Sequence, residues 1–222
     1  MMTDMMTGRF SSASWANKSL QIAVIGLGGT GRGIAEMLCL YGHNVTVWDG
    51  DIVEEHNCLP QGYFKRFIGQ KKVTAFKHQL ILQYPGFDIK CNGLENMFSE
   101  TSNLIGYNIV IACVDNFATR RLITGALNGQ SAYIDTRMLA ENFEIYYFKK
   151  GFENIDTLAW YMETIEGNDA ETIVPCTYRQ TIHVSKILHG IVIGMVNQHI
   201  LGIDIPKKTT YDALLNIWHY DT

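Results

Sequence analysis

The sequence predicts an α/β fold: a doubly wound, Rossmann-like, mostly parallel sheet with helices on both faces and a C-terminal extension. Three observations predict it. Short apolar runs alternate with segments of helical period. A glycine-rich turn follows the first run without a gap. Polar groups suited to a ligand, Asp49 and Asp115-Asn116, stand where two later runs end.

Gln21 to Ile25 is the first strand, and it runs into Gly26-Leu27-Gly28-Gly29-Thr30-Gly31. Ile34, Met37, Leu38 and Tyr41 then repeat at helical spacing until Gly42 stops the helix. Val45 to Trp48 is the second strand, ending in Asp49-Gly50-Asp51. The stretch from Ile52 to Gly69 reads as an irregular loop, longer than ordinary connections and so a candidate for function. Lys71 to Tyr84 is helical, Pro85-Gly86 breaks it, and Phe87 to Cys91 is expected as a third strand. Ile109 to Cys113 is an unbroken apolar run, the mark of a buried parallel strand, and Ala118 to Leu127 is the helix after it. Ala132 to Asp135 and Glu144 to Phe148 are further strands. Glu153 to Glu171 carries acids with no Lys or Arg among them and is expected as a surface excursion. Thr181 to Leu201 is a long helix apolar on most sides, hence largely buried, and Leu214 to Tyr220 is strand-like. On such sheets ligands bind at the carboxyl ends of the strands, where the glycine turn, Asp49 and Asp115 are all expected.

A length of 222 residues favours one domain, taken as residues 19–222, with a crossover-like segment at about 151–181 and a flexible arm over residues 1–18. An apolar fraction of 47% is enough for a sizeable core. The net charge is −4 and no basic run collects phosphates, which argues against nucleic acid as a partner. Cys39, Cys58, Cys91, Cys113 and Cys176 are scattered with no C-x-x-C pair, so neither a disulfide framework nor a zinc knuckle is expected. No secretory apolar core opens the chain and no apolar run is long enough to span a bilayer, so the reading is a cytoplasmic protein without membrane attachment.

Gly26-x-Gly28-x-x-Gly31 has the form of a dinucleotide fingerprint in strand-turn-helix context. Glycines let backbone N–H groups approach a phosphate, which also meets the positive end of the helix dipole. Asp49, roughly 20 residues on, is placed to bind ribose hydroxyls. At this level NAD, FAD and ATP remain open. His183, His189 and His199 lack the i, i+4 spacing of a helical metal site and read as solvated or capped. Cys39, Cys58, Cys91 and Cys113 read as packing residues.

The surroundings of the turn narrow the choice. The segments Ile25-Gly26-Leu27-Gly28-Gly29-Thr30-Gly31, Asp49 to Asn57 with Gln61, Ile68-Gly69-Gln70-Lys71-Lys72, and Val114-Asp115-Asn116 with Thr119-Arg120 resemble, in order and spacing, the ThiF-type and ubiquitin-activating-enzyme superfamily. The resemblance spans roughly residues 20–125. It implies adenylylation of the C-terminal carboxylate of a small ubiquitin-like or sulfur-carrier protein with a Gly-rich C-terminus, using ATP and Mg²⁺. It also implies a homodimer. Carried over by position, Gly26, Gly28, Gly29, Thr30, Gly31, Asp51, Gln61 and Asn116 hold the nucleotide. Asp49 binds ribose, Asn57 and Lys72 contact phosphates, and Asp115 holds Mg²⁺ or the nucleotide. Lys72 and Asp115 are the catalytic candidates on the Rossmann core.

One position departs from the pattern. The family's N-x-x-R-Q reads Asn57-Cys58-Leu59-Pro60-Gln61 here, with proline where the arginine belongs. Lys65 or Arg66 in the same loop, or Arg9 from a neighbouring subunit's arm, are the candidate replacements, and Arg66 joins the catalytic set. Pro175-Cys176-Thr177-x-Arg179 resembles the segment that carries the thioester cysteine, so Cys176 is the candidate nucleophile. Its place before a helix N-terminus and near an arginine would favour the thiolate. Two other functions fit parts of the pattern. One is a nucleotide-binding pseudo-enzyme that pairs with an active subunit, suggested by Pro60. The other is an NAD-dependent oxidoreductase, which the glycine turn alone would allow.

Overall fold

The computed structural model describes residues 12–13, 15–16, 18–149, 155–167 and 181–222. Eight strands form one sheet in the order β3-β2-β1-β4-β5-β6-β7-β8. They are β1 (Gln21–Ile25), β2 (Asn44–Trp48), β3 (Cys91–Leu94), β4 (Ile109–Ala112), β5 (Ala132–Leu139), β6 (Asn142–Lys149), β7 (Lys208–Asp212) and β8 (Ile217–Asp221). The first five in the sheet are parallel and the last three run antiparallel. The expected doubly wound sheet is present, and β6 to β8 are its C-terminal extension.

Among the described residues five helices cover the faces: α1 (Gly31–Leu40), α2 (Lys72–Gln83), α3 (Phe117–Ala126), α4 (Ile155–Glu163) and α5 (Ile182–Leu201). Alternation along the strands sorts the core into two. Ile22, Val24, Val47, Ile109 and Ile111 face one side and pack with Ile34 and Leu38 of α1, Phe76 of α2 and Leu188 and Val192 of α5. Ala23, Ile25, Val110, Ala112 and Tyr133 face the other and pack with Ile123 of α3 and Tyr161 of α4. Because β1 and β4 are covered on both faces, they read as unbroken apolar runs rather than as alternating ones. The order reverses between β1 and β4, since β1 winds outward to β2 and β3 while β4 winds toward β5. That reversal opens a crevice at the carboxyl ends of these strands.

Three expectations are corrected. The third strand begins at Cys91 rather than ending there. Asn92-Gly93 looks like a turn, but Cys91 to Leu94 pairs in register with Val45 to Trp48, and the bare Gly93 leaves the room that Val73 of α2 occupies. The acidic stretch is not wholly surface: α4 lies within it, and Tyr161 and Ile165 are fully buried. The strand expected over 214–220 is the second arm of a hairpin whose first arm, β7, has mixed polarity and escapes a pattern reading.

Beneath α4 lies a buried ion cluster. Asp135 of β5, with no exposed surface, accepts from Arg120 Nε at 2.8 Å, Arg137 Nε at 2.7 Å and the Tyr161 hydroxyl at 2.9 Å. Arg137 also donates to Thr164 just past α4, fixing that helix against the sheet.

Candidate active site

The glycine turn is shaped by close approach. Gly26 has φ +94°, and a Cβ there would lie 2.6 Å from the carbonyl oxygen of Cys113, so the turn passes over the end of β4 only because residue 26 has no side chain. A Cβ at Gly31 would likewise overlap the carbonyl of Gly26. The turn is braced from two sides. Asp49, at the end of β2, accepts the Leu27 N–H at 2.7 Å with Oδ2 and the Asp51 N–H at 2.8 Å with Oδ1. Tyr63 donates its hydroxyl to the Leu27 carbonyl at 3.0 Å, and burial together with the nearby Asp49 carboxylate raises its pKa well above the tyrosine range.

A cleft of about 660 Å³ opens where the turn, the ends of β2 and β4, and the 52–61 loop meet. Gly26, Gly28, Asp49, Asp51, Asn57, Gln61, Lys72, Asp115 and Asn116 all line it, although they come from four separate stretches of sequence. Lys72 opens α2 and is nearly buried. Its Nζ lies 2.8 Å from Asp51 and 4.0 Å from Asp49. Asn57, also buried, spends Oδ1 on the Glu54 N–H at 2.8 Å, which folds the 54–57 segment into a single 3-10 turn. Asn116 caps α3 by accepting the Thr119 N–H at 2.7 Å, and its amide reaches Asp115 at 3.3 Å. Cap and cleft-facing group are the same residue.

Other expected residues lie elsewhere. Gly29, Thr30 and Gly31 sit behind the cleft wall rather than on it. Arg66 does not line the cleft: its guanidinium lies over the rings of Phe64 and Phe67, 5.4 and 5.0 Å from their centres. Lys65 reaches out to Glu55 at 3.8 Å, with its side chain 77% exposed. Neither therefore fills the place of the missing arginine, while Pro60 itself lines the cleft. Cys176 and Arg9 lie outside the described residues. Cys113 does face the cleft, but burial pushes its thiol up to about 12, which keeps it protonated at neutral pH.

Several cleft residues escaped the sequence reading. Trp48, Met97 and Phe98 give it an apolar wall beside Val114, which the resemblance included. Met97 and Phe98 follow β3 in an irregular stretch with no motif, so only the β2–β3 pairing reveals them. Thr119 was legible only as part of the resemblance. His189, expected as solvated or capped, is instead buried, and it stands outside the cleft lining. It lies on α5, 3% exposed, with Nε2 3.1 Å from the Gly29 carbonyl oxygen.

The charge in the cleft is lopsided. Asp49, Asp51, Glu54 and Asp115 face Lys72 and His56, so a polyphosphate could settle here only with additional positive charge. An exposed Asp115 whose amide neighbour occupies one oxygen suits Mg²⁺, an ion commonly held by one or two carboxylates plus substrate phosphates. Among the described residues no group of three His, Cys, Asp or Glu forms a preassembled metal cage, as that mode of binding requires none. No helix among the described residues is long and apolar enough to cross a membrane.

This geometry agrees with a family comparison that matches residues 13–216 to the ThiF family. The chain belongs to the ThiF family. Solved structures place the ThiF fold on it with TM-scores near 0.7. Selenomethionine PaaA is 18% identical with TM-score 0.69, over 93% of this chain and 73% of PaaA. Escherichia coli MccB crystallised with ATP is 14% identical with TM-score 0.68, over 94% of this chain and 64% of MccB. The form of E. coli MccB with AMPCPP and selenomethionine MccA is 16% identical with TM-score 0.70. The chain thus spans less than two thirds of MccB, and at these identities the likeness concerns the fold. No curated protein matches the chain.

Proposed function

We propose that this ThiF-family chain is an ATP-dependent adenylyltransferase acting on the C-terminal carboxylate of a small ubiquitin-like or sulfur-carrier protein. The observation that carries the reading is the convergence of Asp49, Asn57, Lys72 and Asp115 with the glycine turn on one cleft. The crystal forms of MccB, with ATP and with AMPCPP and MccA, support a nucleotide beside a second molecule in this fold.

In the proposed reaction a carboxylate oxygen of the carrier attacks the α-phosphorus of ATP. The bond from that phosphorus to the bridging oxygen breaks, and pyrophosphate leaves with the electron pair. The chain's task is charge and position rather than proton transfer. Gly26 and Gly28 of the turn line the cleft on the side proposed for the phosphates, Asp49 keeps lone pairs for ribose hydroxyls, and the apolar wall at Trp48 and Phe98 suits the base. Asn57, with Oδ1 committed to the backbone, offers its amide N–H groups. Lys72 would leave Asp51 for the phosphates, and Asp115 would hold Mg²⁺, which when bound neutralises charge on the leaving group. Gln61 brings a buried Oε1 that has no partner among the described residues. Thioester formation on Cys176 would follow, its thiolate attacking the acyl carbon and releasing AMP.

A homodimer belongs to the same proposal. The outward face of α5 carries Gly190 and Gly194 with open space around both, flanked by half-buried Ile187 and Ile191, which suits a closely packed second helix. The compartment proposed is the cytoplasm.

The experiment is ATP–pyrophosphate exchange with Mg²⁺ and a panel of small β-grasp carrier proteins with Gly-rich C-termini. Carrier-dependent exchange is expected, with a reducible conjugate that Cys176→Ala removes. A specific observation favours a second reading: Pro60 lines the cleft while Lys65 and Arg66 point away. Nucleotide binding without exchange would replace the enzyme by a pseudo-enzyme subunit. Binding of NAD(H) but not ATP would sink both.

A further inference from the structure

We propose that His189 is a positioning residue for the nucleotide turn, holding it from behind through the carbonyl of Gly29. The proposal rests on the nucleotide reading of the cleft, but its geometry stands by itself. Three observations converge. The imidazole Nε2 is 3.1 Å from Gly29 O, 160 residues away in sequence, in a buried setting. The ring fills the space left by Gly33: a Cβ at residue 33 would overlap the His189 ring. The Gly29 carbonyl is thus engaged by a side chain of α5, and Gly29 does not line the cleft.

These facts have a mechanical reading. A carbonyl oxygen aimed at a phosphate would repel it, whereas an N–H attracts it. Donation from Nε2 draws the Gly29 carbonyl toward α5, on the side away from the ligand. That requires a proton on Nε2, which in the neutral ring is the Nε2–H tautomer; the surroundings keep the ring neutral. Burial, with Lys186 of α5 and Arg32 of α1 nearby, lowers the pKa of His189 to about 4, while the carbonyls of Gly29 and Thr30 oppose the shift in part. Leu188 and Val192 on either side are fully buried in the core shared with α1, so the ring has little freedom to leave. Gly33 serves the same contact. Alanine would suit the helix better than glycine in propensity, but it would evict the ring.

The test separates a held turn from a filled space. Amide hydrogen exchange of the 26–34 peptide is measured in the ligand-free protein, and Mg²⁺–AMPCPP affinity by calorimetry, for His189→Leu, His189→Gln, Gly33→Ala and Gly33→Ala/His189→Ala. Leucine fills space without a donor, and glutamine keeps an N–H donor. Expected for His189→Leu are about tenfold faster exchange in 26–34, unchanged protection in β1 and β5, and about tenfold weaker AMPCPP binding, the scale of one hydrogen bond to a buried group. His189→Gln should recover most of both. If His189→Leu does not fold, the Gly33 pair decides. Gly33→Ala should loosen the 26–34 peptide. The double variant should regain melting temperature without regaining turn protection. Wild-type protection in His189→Leu, or its full return in the double variant, would overturn the proposal by making the ring a spacer. If the wild type binds no AMPCPP, the nucleotide reading fails, and the exchange data still judge His189.

Discussion

Mild acid should unfold this protein through two histidines. His43 and His189 are 2% and 3% exposed, and burial lowers the pKa of each from 6.5 to about 4. A lowered folded-state value means that the unfolded chain takes up the proton first. The neutral rings therefore contribute their full stability above pH 6.5, lose it progressively as pH falls toward 4, and lose no more below that. A shift of this size is worth about 3 kcal/mol per histidine, and near pH 4.5 about 2.5 kcal/mol of it is already lost. Two such sites remove about 5 kcal/mol, comparable with the entire stability of many domains. His43 has a specific reason to resist: its Nδ1 accepts the Leu20 N–H at 3.3 Å, which a proton would displace. Urea unfolding followed by tryptophan fluorescence, at intervals from pH 7.5 to 4.5, should show the midpoint falling steeply below pH 6.5. The double variant His43→Gln/His189→Gln should start less stable but give a flatter curve. A wild-type midpoint flat from pH 6.5 to 4.5 would refute the assignment of both rings as buried and neutral.

Three further outcomes are expected. Lys72→Ala should lower pyrophosphate exchange by about a hundredfold or more while shifting the melting curve little, because the partner Asp51 is half exposed; full activity would remove Lys72 from the reaction. Asp135→Ala should cost about 3–5 kcal/mol in urea unfolding, since it leaves Arg120 and Arg137 without their shared carboxylate, and a loss below about 1 kcal/mol would show the cluster to be dispensable. Gly26→Ala should destabilise by about 1–3 kcal/mol and abolish nucleotide binding, given φ +94° and the Cys113 carbonyl at 2.6 Å; wild-type calorimetry would contradict the turn geometry.

Much of this was legible because local pattern and tertiary role coincide. The run Ile109 to Ala112 is a buried parallel strand, and a run of four apolar residues can say so. Gly26 and Gly31 are glycines for a local steric reason, and Asp49 and Asp115 fall at strand ends because the fold places ligands there. What escaped depends on distance. The strand expected over Phe87 to Cys91 lies instead at Cys91 to Leu94, since Asn92 and Gly93 are accommodated by pairing with β2 and packing under Val73. Tyr161 looks like an ornament of an acidic stretch until Asp135 is seen beneath it. His189 sits in a helix whose apolar residues carry the pattern, and its partner is a glycine carbonyl 160 residues earlier. Arg66 shows the opposite error: charge type and loop membership suggested a phosphate ligand, but the neighbouring Phe64 and Phe67 claim its guanidinium.

Asp49 binds together two chain segments, 22 and two residues away, with one oxygen for each. A descendant of this protein that gave up its nucleotide would still need that carboxylate to keep the turn and the following loop joined. Lys72 is under no such obligation, because its ion pairs are with acids that water or another cation could satisfy. Among natural relatives, then, drift at Lys72 should track the loss of catalysis, while Asp49 should persist in active and retired copies alike.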